Sequence, residues 1–366
     1  MLRYLAAVTV VSAAVVASGC GGSDNNKTTS GGGNSANKGG KIALLLPETK
    51  TARYETQDRP QFEAKVKQLC PKCDILYSNA DQDAAKQQQQ AEAALTQGAK
   101  VLVLDAVDAG SAGAIVTRAK QQKVPVISYD RLITDAPIDY YISFDNVRVG
   151  QLQGQALANK LKQDGKATGP IVMINGAPTD NNAKLFKQGA TGALNKAGIK
   201  VLKSYDTPDW SPDKAQDEMQ QAITAVGDSG FNGVYAANDG TAGGAIAAMK
   251  SAGITPTERP TTGQDAELAG IQRILAGTQY MTVYKAVKPE AQQAAQMAVD
   301  LVNGRKPKIA TKKTDNGQGQ IPSVILTPVA VTKDNVKDTI IKDGFWKANQ
   351  ICTSAYASAC KAAGLT

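Results

Sequence analysis

From Lys41 onward two patterns alternate along the chain. Short apolar runs bounded by Gly, Pro, Asp or Asn have the length of strands, and longer stretches between them carry apolar residues at helical spacing. The strand-like runs fall at 41–46, 73–78, 101–105, 124–129, 140–144, 171–175, 201–207, 233–237, 261–264 and 281–284. Helical stretches fall at 58–69, 84–97, 112–122, 147–163, 181–197, 212–226, 241–252, 268–276 and 288–303. Regular alternation of this kind predicts an α/β chain, with parallel sheets covered by helices on both faces. One helix start is explicit: Ser211 is placed as N-cap, Pro212 at the first helical position and Asp213 in the first turn. That leaves Trp210 in the loop after a strand.

Length divides the pattern. Residues 41–366 are too many for one compact core and suit two domains, with the two βαβα halves meeting near Phe144-Asp145-Asn146. Ahead of them the chain is different in kind. Met1-Leu2-Arg3-Tyr4 carries one positive charge and leads into an apolar run that ends at Ser18-Gly19-Cys20. The run is shorter than the roughly 20 apolar residues a membrane span needs, so residues 1–19 read as a signal peptide. The tract Ala17-Ser18-Gly19-Cys20 resembles a bacterial lipobox, which implies a lipid on Cys20 and a place on the outer face of the cell membrane; a plain cleaved leader with an incidental cysteine is the alternative. Residues 20–40 are rich in Gly, Ser and Asn with no large apolar side chain, and they read as a flexible leash reaching roughly 25 Å.

Charge excludes more than it suggests. The formal net charge is +8, from 41 basic and 33 acidic side chains, but the lysines are scattered, which argues against a nucleic-acid footprint. Apart from Cys20 the cysteines are Cys70, Cys73, Cys352 and Cys360. Four cysteines in an exported chain permit three connectivities, and because short loops close most easily the expected pairs are Cys70 with Cys73 and Cys352 with Cys360. A redox role for the first pair is the rival; reactive pairs sit at helix N-termini, whereas this one follows a helical stretch.

In open parallel sheets ligands bind beyond the carboxyl ends of the strands. The residues following the predicted strands are Arg53-Tyr54, Asp130-Arg131, Asn181-Asn182, Trp210, Asn238-Asp239, Gln264-Asp265 and Lys285. Planar groups of this kind hold neighbouring hydroxyls two at a time, and Trp210 and Tyr54 offer faces for the C–H side of a ring. A sugar suits the set. Each residue also has a plain structural use: Asn238-Asp239 as a helix cap, Asp130-Arg131 as a surface pair, Trp210 as a cover over core.

At these positions the chain resembles the xylose-binding members of the periplasmic sugar-binding protein family, the soluble receptors of ABC-type sugar importers. The matching stretches include Tyr129-Asp130-Arg131-Leu132-Ile133, Asp180-Asn181-Asn182-Ala183-Lys184-Leu185-Phe186, Asn238-Asp239-Gly240-Thr241-Ala242-Gly243-Gly244-Ala245, Gly263-Gln264-Asp265-Ala266 and Gly277-Thr278-Gln279-Tyr280-Met281-Thr282-Val283-Tyr284-Lys285. The resemblance implies two lobes joined by three hinge crossings, a type I periplasmic binding protein. It divides the chain into 41–144 plus about 284–325, and 145–283 plus about 326–346, with 347–366 as a C-terminal extension. It implies that Arg53, Asp130 and Arg131 meet the sugar from the first lobe, that Asn182, Trp210, Asn238 and Asp265 meet it from the second, and that Lys285 reaches it beside the hinge. The implied partners are a monosaccharide and an ABC importer permease, with the protein a monomer that needs no cofactor. Where the family has Arg-Trp this chain has Arg53-Tyr54, and the smaller ring admits another pentose or a hexose.

Other classes fare worse. Ala109-Gly110-Ser111-Ala112-Gly113 looks like a nucleophile elbow, but the chain has no histidine to serve a Ser-His pair. Asp130 and Asp265 are a conceivable glycosidase pair, though Arg131 favours the ionised form of its neighbour. Gly39-Gly40-Lys41 lacks the earlier glycine of a P-loop and precedes a strand. No His or Cys cluster suggests a metal. The nearest rival is a sensor of sugars or autoinducers built on the same two-lobed plan.

Overall fold

In the computed structural model the described residues are 39–365; the expected leader, the expected lipidation position Cys20 and nearly all of the expected leash lie outside them. The first strand, β1 (Gly40–Leu46), is buried from Ile42 onward, as a strand covered on both faces must be. It pairs in parallel with β2 (Cys73–Asn79) and β3 (Ala99–Leu104), β3 pairs with β4 (Val126–Tyr129), and β4 with β5 (Tyr140–Phe144). Helices α1 (Arg59–Leu69), α2 (Ala84–Thr96) and α3 (Gly113–Gln121) make the crossovers.

After β5 the chain leaves this lobe. Asp145 caps α4 (Asn146–Gln163) through its side chain, and a second sheet follows with the order β7 (Val201–Asp206), β6 (Ile171–Asn175), β8 (Gly233–Ala236). Its helices are α5 (Asn181–Lys196), α6 (Pro212–Val226), α7 (Asp239–Ser251) and α8 (Leu268–Leu275). From β9 (Met281–Tyr284) the chain returns to the first lobe, where Ala291, Ala294 and Ala298 of α9 (Val287–Val302) pack against Ile42, Leu44 and Val101. There β10 (Lys312–Asp315) and β11 (Gln320–Leu326) extend the first sheet beside β5. The chain then passes back so that β12 (Val329–Thr332) pairs with β9. Three passages thus join the lobes, after β5, after β9 and after β11.

The structure departs from the sequence pattern in two places. The sheets are not wholly parallel, since β10 is antiparallel to β11 and β12 to β9. These strands escape the pattern because β10 is Lys-Lys-Thr-Asp and mostly exposed, and β11 contains Pro322. The run at 261–264 is not a strand but two isolated parallel bridges, Val234 with Thr261 and Gln264 with Val283. The chain turns there, with Asp265 and Ala266 both at positive φ, and cannot continue a ladder.

Residues 347–365 do not hang free. Ile351, ending α10 (Ala348–Ile351), and Cys360, in α11 (Ala357–Ala362), share a buried cluster with Ile271 and Leu275 of α8. Cys352 is bonded to Cys360, and Cys70 to Cys73. Cys70 is the C-cap of α1, the carbonyl end of the dipole, which does not favour a thiolate.

Candidate ligand-binding cleft

The strand ends of both sheets face one small cavity. Arg53, Tyr54, Asp130, Arg131, Asn182, Trp210, Asn238, Asp265 and Lys285 all line it, joined by Thr51, Asp180, Phe186 and Gln264. Of these, Gln264 stands beside Asp265 in the sequence inventory without a role of its own, and Thr51, Asp180 and Phe186 have no role assigned from the sequence. Asp180 lies in the loop that delivers Asn182, and Phe186 follows Asn182 by one helical turn on α5, so these two had a local signal and Thr51 had none.

Arg53 is placed by its own loop. A wide turn with i→i+5 bonding, Tyr54–Asp58, precedes α1, and such turns recur at functional sites. It brings Asp58 under the guanidinium, where Arg53 Nε and Nη2 donate to its two oxygens at 2.9 and 2.6 Å. Glu290 of α9 accepts from Nη2 at 2.9 Å, and Tyr129 donates to Asp58 from the other side. With one edge of the fork occupied, Nη1 faces the cavity, 3.3 Å from Asp130 and 3.8 Å from Asp265. The group is preorganised rather than flexible, which limits the ordering cost of binding.

Asp130 follows β4 at φ 51°, and its carboxylate meets Lys285 Nζ at 3.2 Å and Tyr54 Oη at 3.4 Å. Burial alone would push this carboxyl up, but Arg53, Lys285 and Arg131 outweigh it and pull it down to about 2. Glu290 goes the other way: burial and the charge of Asp130 push it well up, against Arg53. Lys285 leaves β9 where the chain crosses, and its ammonium also lies 3.7 Å from Asp265.

The second lobe answers with a ring and amides. Trp210 seats its indole over Gly176, where a Cβ would overlap the ring, and meets Phe186 edge-on with centroids 6.4 Å apart. Its Nε1 donates to Asp180 Oδ2 at 3.2 Å, an oxygen 3.1 Å from Arg131 Nε. Asn182 donates to the Asp130 carbonyl at 3.0 Å and accepts from Asn146 at 2.9 Å. Asn238 is both cap and lining: its side chain accepts from Thr241 N at 2.8 Å, closing a capping box on α7, while the residue faces the cavity.

Several buried polar atoms at the cavity make no hydrogen bond, among them Arg53 Nη1, Gln264 Oε1 and Asp265 Oδ1. Buried donors and acceptors are normally paired, so these favour a ligand rich in groups that both donate and accept. Asp130 is held as an anion and is a poor general acid. Among the described residues no His, Cys, Asp or Glu group could hold a metal ion, and no helix is long and apolar enough to cross a membrane.

Two α/β lobes, three connections and a polar cleft furnished from both sides define a solute-binding protein of the type I fold. Residues 42–306 match the family described as periplasmic binding protein domain. The chain is 40% identical over 315 residues to the D-xylose-binding periplasmic protein of Escherichia coli, covering 85% of this chain and 92% of that one. It is 36% identical to the D-xylose-binding periplasmic protein of Haemophilus influenzae, covering 84% and 91%. A crystal structure of an ABC transporter solute-binding protein from Clostridium phytofermentans with bound β-D-glucose superposes with TM-score 0.76 at 28% identity, covering 85% of this chain and 99% of that one. The chain belongs to the periplasmic sugar-binding protein family and is a binding protein, not an enzyme.

Proposed function

We propose that the protein captures one monosaccharide, D-xylose first among candidates, in the interlobe cleft and delivers it to an ABC-type importer. The observation that carries this reading is the cavity itself. It is small, it sets Arg53 and Lys285 beside Asp130 and Asp265, and it adds the face of Trp210. In that geometry Arg53, Asp130 and Arg131 hold hydroxyls from one lobe, and Asn182, Asn238 and Asp265 hold them from the other. Trp210 stacks on the ring and Lys285 reaches it beside the crossing. Two relatives named for D-xylose support the pentose. Tyr54 favours the second reading, another pentose or a hexose, since its ring is smaller than the family's tryptophan; the glucose-bound structural relative points the same way.

Only a closed form lets both lobes touch one small ligand, so the sugar biases a hinge equilibrium and the closed form is what the permease meets. A lipid on Cys20 would keep this monomer near its membrane partner, whether that partner is an importer or a sensor. The deciding experiment is a thermal-shift panel of pentoses and hexoses. A ligand at one hundred times its Kd stabilises by about 2.7 kcal/mol, and D-xylose is expected to give the largest shift. A large shift with glucose or ribose and none with xylose would move the substrate; no shift with any sugar would overturn the class of ligand. Small-angle scattering tests the hinge, with compaction expected on saturation.

A further inference from the structure

Asp265 stands on an improbable piece of backbone. It and Ala266 have φ of 89° and 50°, a left-handed pair that non-glycine residues keep only where the surroundings enforce it. Three successive amides of this turn are held by three different acceptors. Asp265 N donates to the Val283 carbonyl at 2.9 Å, Ala266 N to Thr282 Oγ1 at 3.2 Å, and Glu267 N to Asp239 Oδ2 at 2.9 Å. The second acceptor depends on the third, because the Thr282 hydroxyl donates its own proton to Asp239 Oδ2 at 3.0 Å.

Asp239 is fully buried and lies outside the cavity lining. Its other oxygen accepts from Gln279 Nε2 at 2.6 Å, and its backbone N–H donates to the Gln264 carbonyl at 2.9 Å. Two glycines make room for it: a Cβ on Gly263 or Gly270 would overlap the carboxylate. A helix N-terminal acid alone would need none of this.

We propose that Asp239 is a positioning residue, whose buried carboxylate locks the 265–267 turn in the left-handed conformation that aims Asp265 into the cleft. It acts on ligand through Asp265 and not by contact. The role rests on the sugar-binding reading for its consequence, but the lock itself is a property of the free protein.

The test uses Asp239→Asn, which keeps the shape and removes one acceptor, with Thr282→Val as a second variant that breaks the same relay should the first fail to fold. Hydrogen exchange followed on a peptide spanning 263–268 in the sugar-free protein is expected to speed up at least ten-fold in either variant, with β6 and β8 unchanged. For whichever sugar the unaltered protein binds, Asp239→Asn is expected to raise Kd about ten-fold. In an Asp265→Asn background it is expected to add less than two-fold, the non-additivity of two residues acting as one. Wild-type exchange at 263–268 would overturn the proposal, as would an equal loss of affinity with and without the Asp265 carboxylate. A protein that binds no sugar would remove the sugar reading alone, with exchange still deciding the lock.

Discussion

Arg131 of the first lobe and Asp180 of the second meet at 3.1 Å, through the same carboxylate oxygen that accepts from Trp210 Nε1. One group therefore ties the approach of the lobes to the orientation of the Trp210 ring. Asp180 also caps α5 by accepting from Asn182 N at 2.8 Å, so it sets two lining residues at once. Asp180→Ala is expected to weaken sugar binding by about ten- to a hundred-fold, as hydrogen bonds to charged groups contribute about 1.5–3 kcal/mol. Calorimetry measures it, and Asp180→Asn, which keeps an acceptor, is expected to lose less.

Gly176 directly follows β6 and lies under the Trp210 indole. Gly176→Ala is expected to displace Trp210, since a Cβ there overlaps the ring, at about 1–3 kcal/mol of overpacking. The chain has two tryptophans, and the other, Trp346, is fixed by a 2.8 Å bond to the Ala266 carbonyl. A fluorescence change on sugar addition reports Trp210, and in this variant it is expected to shrink along with affinity.

Replacing Arg53 with Met leaves Asp58 and Glu290 buried without their shared cation. Removing one partner of a buried pair destabilises by about 3–5 kcal/mol, to be read from urea unfolding in the absence of sugar. Arg53→Lys keeps the charge but not the fork, and is expected to bind sugar more weakly than wild type while losing less stability than Arg53→Met.

Two carboxyls give opposite pH signatures. Burial pushes Asp239 up to about 7, opposed by Arg273, Gln279 and the Glu267 amide and assisted by Asp265. Between the unfolded value of about 3.9 and 7 the folded state holds a proton that the unfolded chain has lost, so this group's contribution to stability falls as pH rises through that window and is flat above it. Asp130, drawn down to about 2, contributes stability present above about 3.9 and lost only as pH falls through its folded value. Unfolding curves from pH 4.5 to 7.5 are expected to show the first effect, and Asp239→Asn is expected to abolish it.

Residues at strand ends were legible because the alternation of elements alone puts them at one edge. Asp130, Asn238 and Asp265 need no knowledge of tertiary contacts to be placed there. Asp58 and Glu290 were not legible as supports of Arg53, since Glu290 lies 237 positions away on a helix whose other inward residues are alanine, valine and methionine. Asn238-Asp239 read together as a cap, and of the two only Asn238 provides it. The edge strand β10 carried no apolar alternation because solvent, not core, covers it. Local patterning reports which face a residue takes; it is silent on which distant group comes to meet it.

The order of strands bears on how the molecule is made. The first sheet has no neighbour for the outer edge of β5 until β11 exists, and β9, bridged on one side by Gln264, has its other edge bare until β12 follows. A growing chain therefore carries two incomplete halves, and both are finished by the same late segment, residues 320–332. Any product that stops short of it presents bare strand edges in both lobes at once, the kind of surface on which chains associate wrongly. Truncation near the end is thus a failure of the whole molecule and not of its tail.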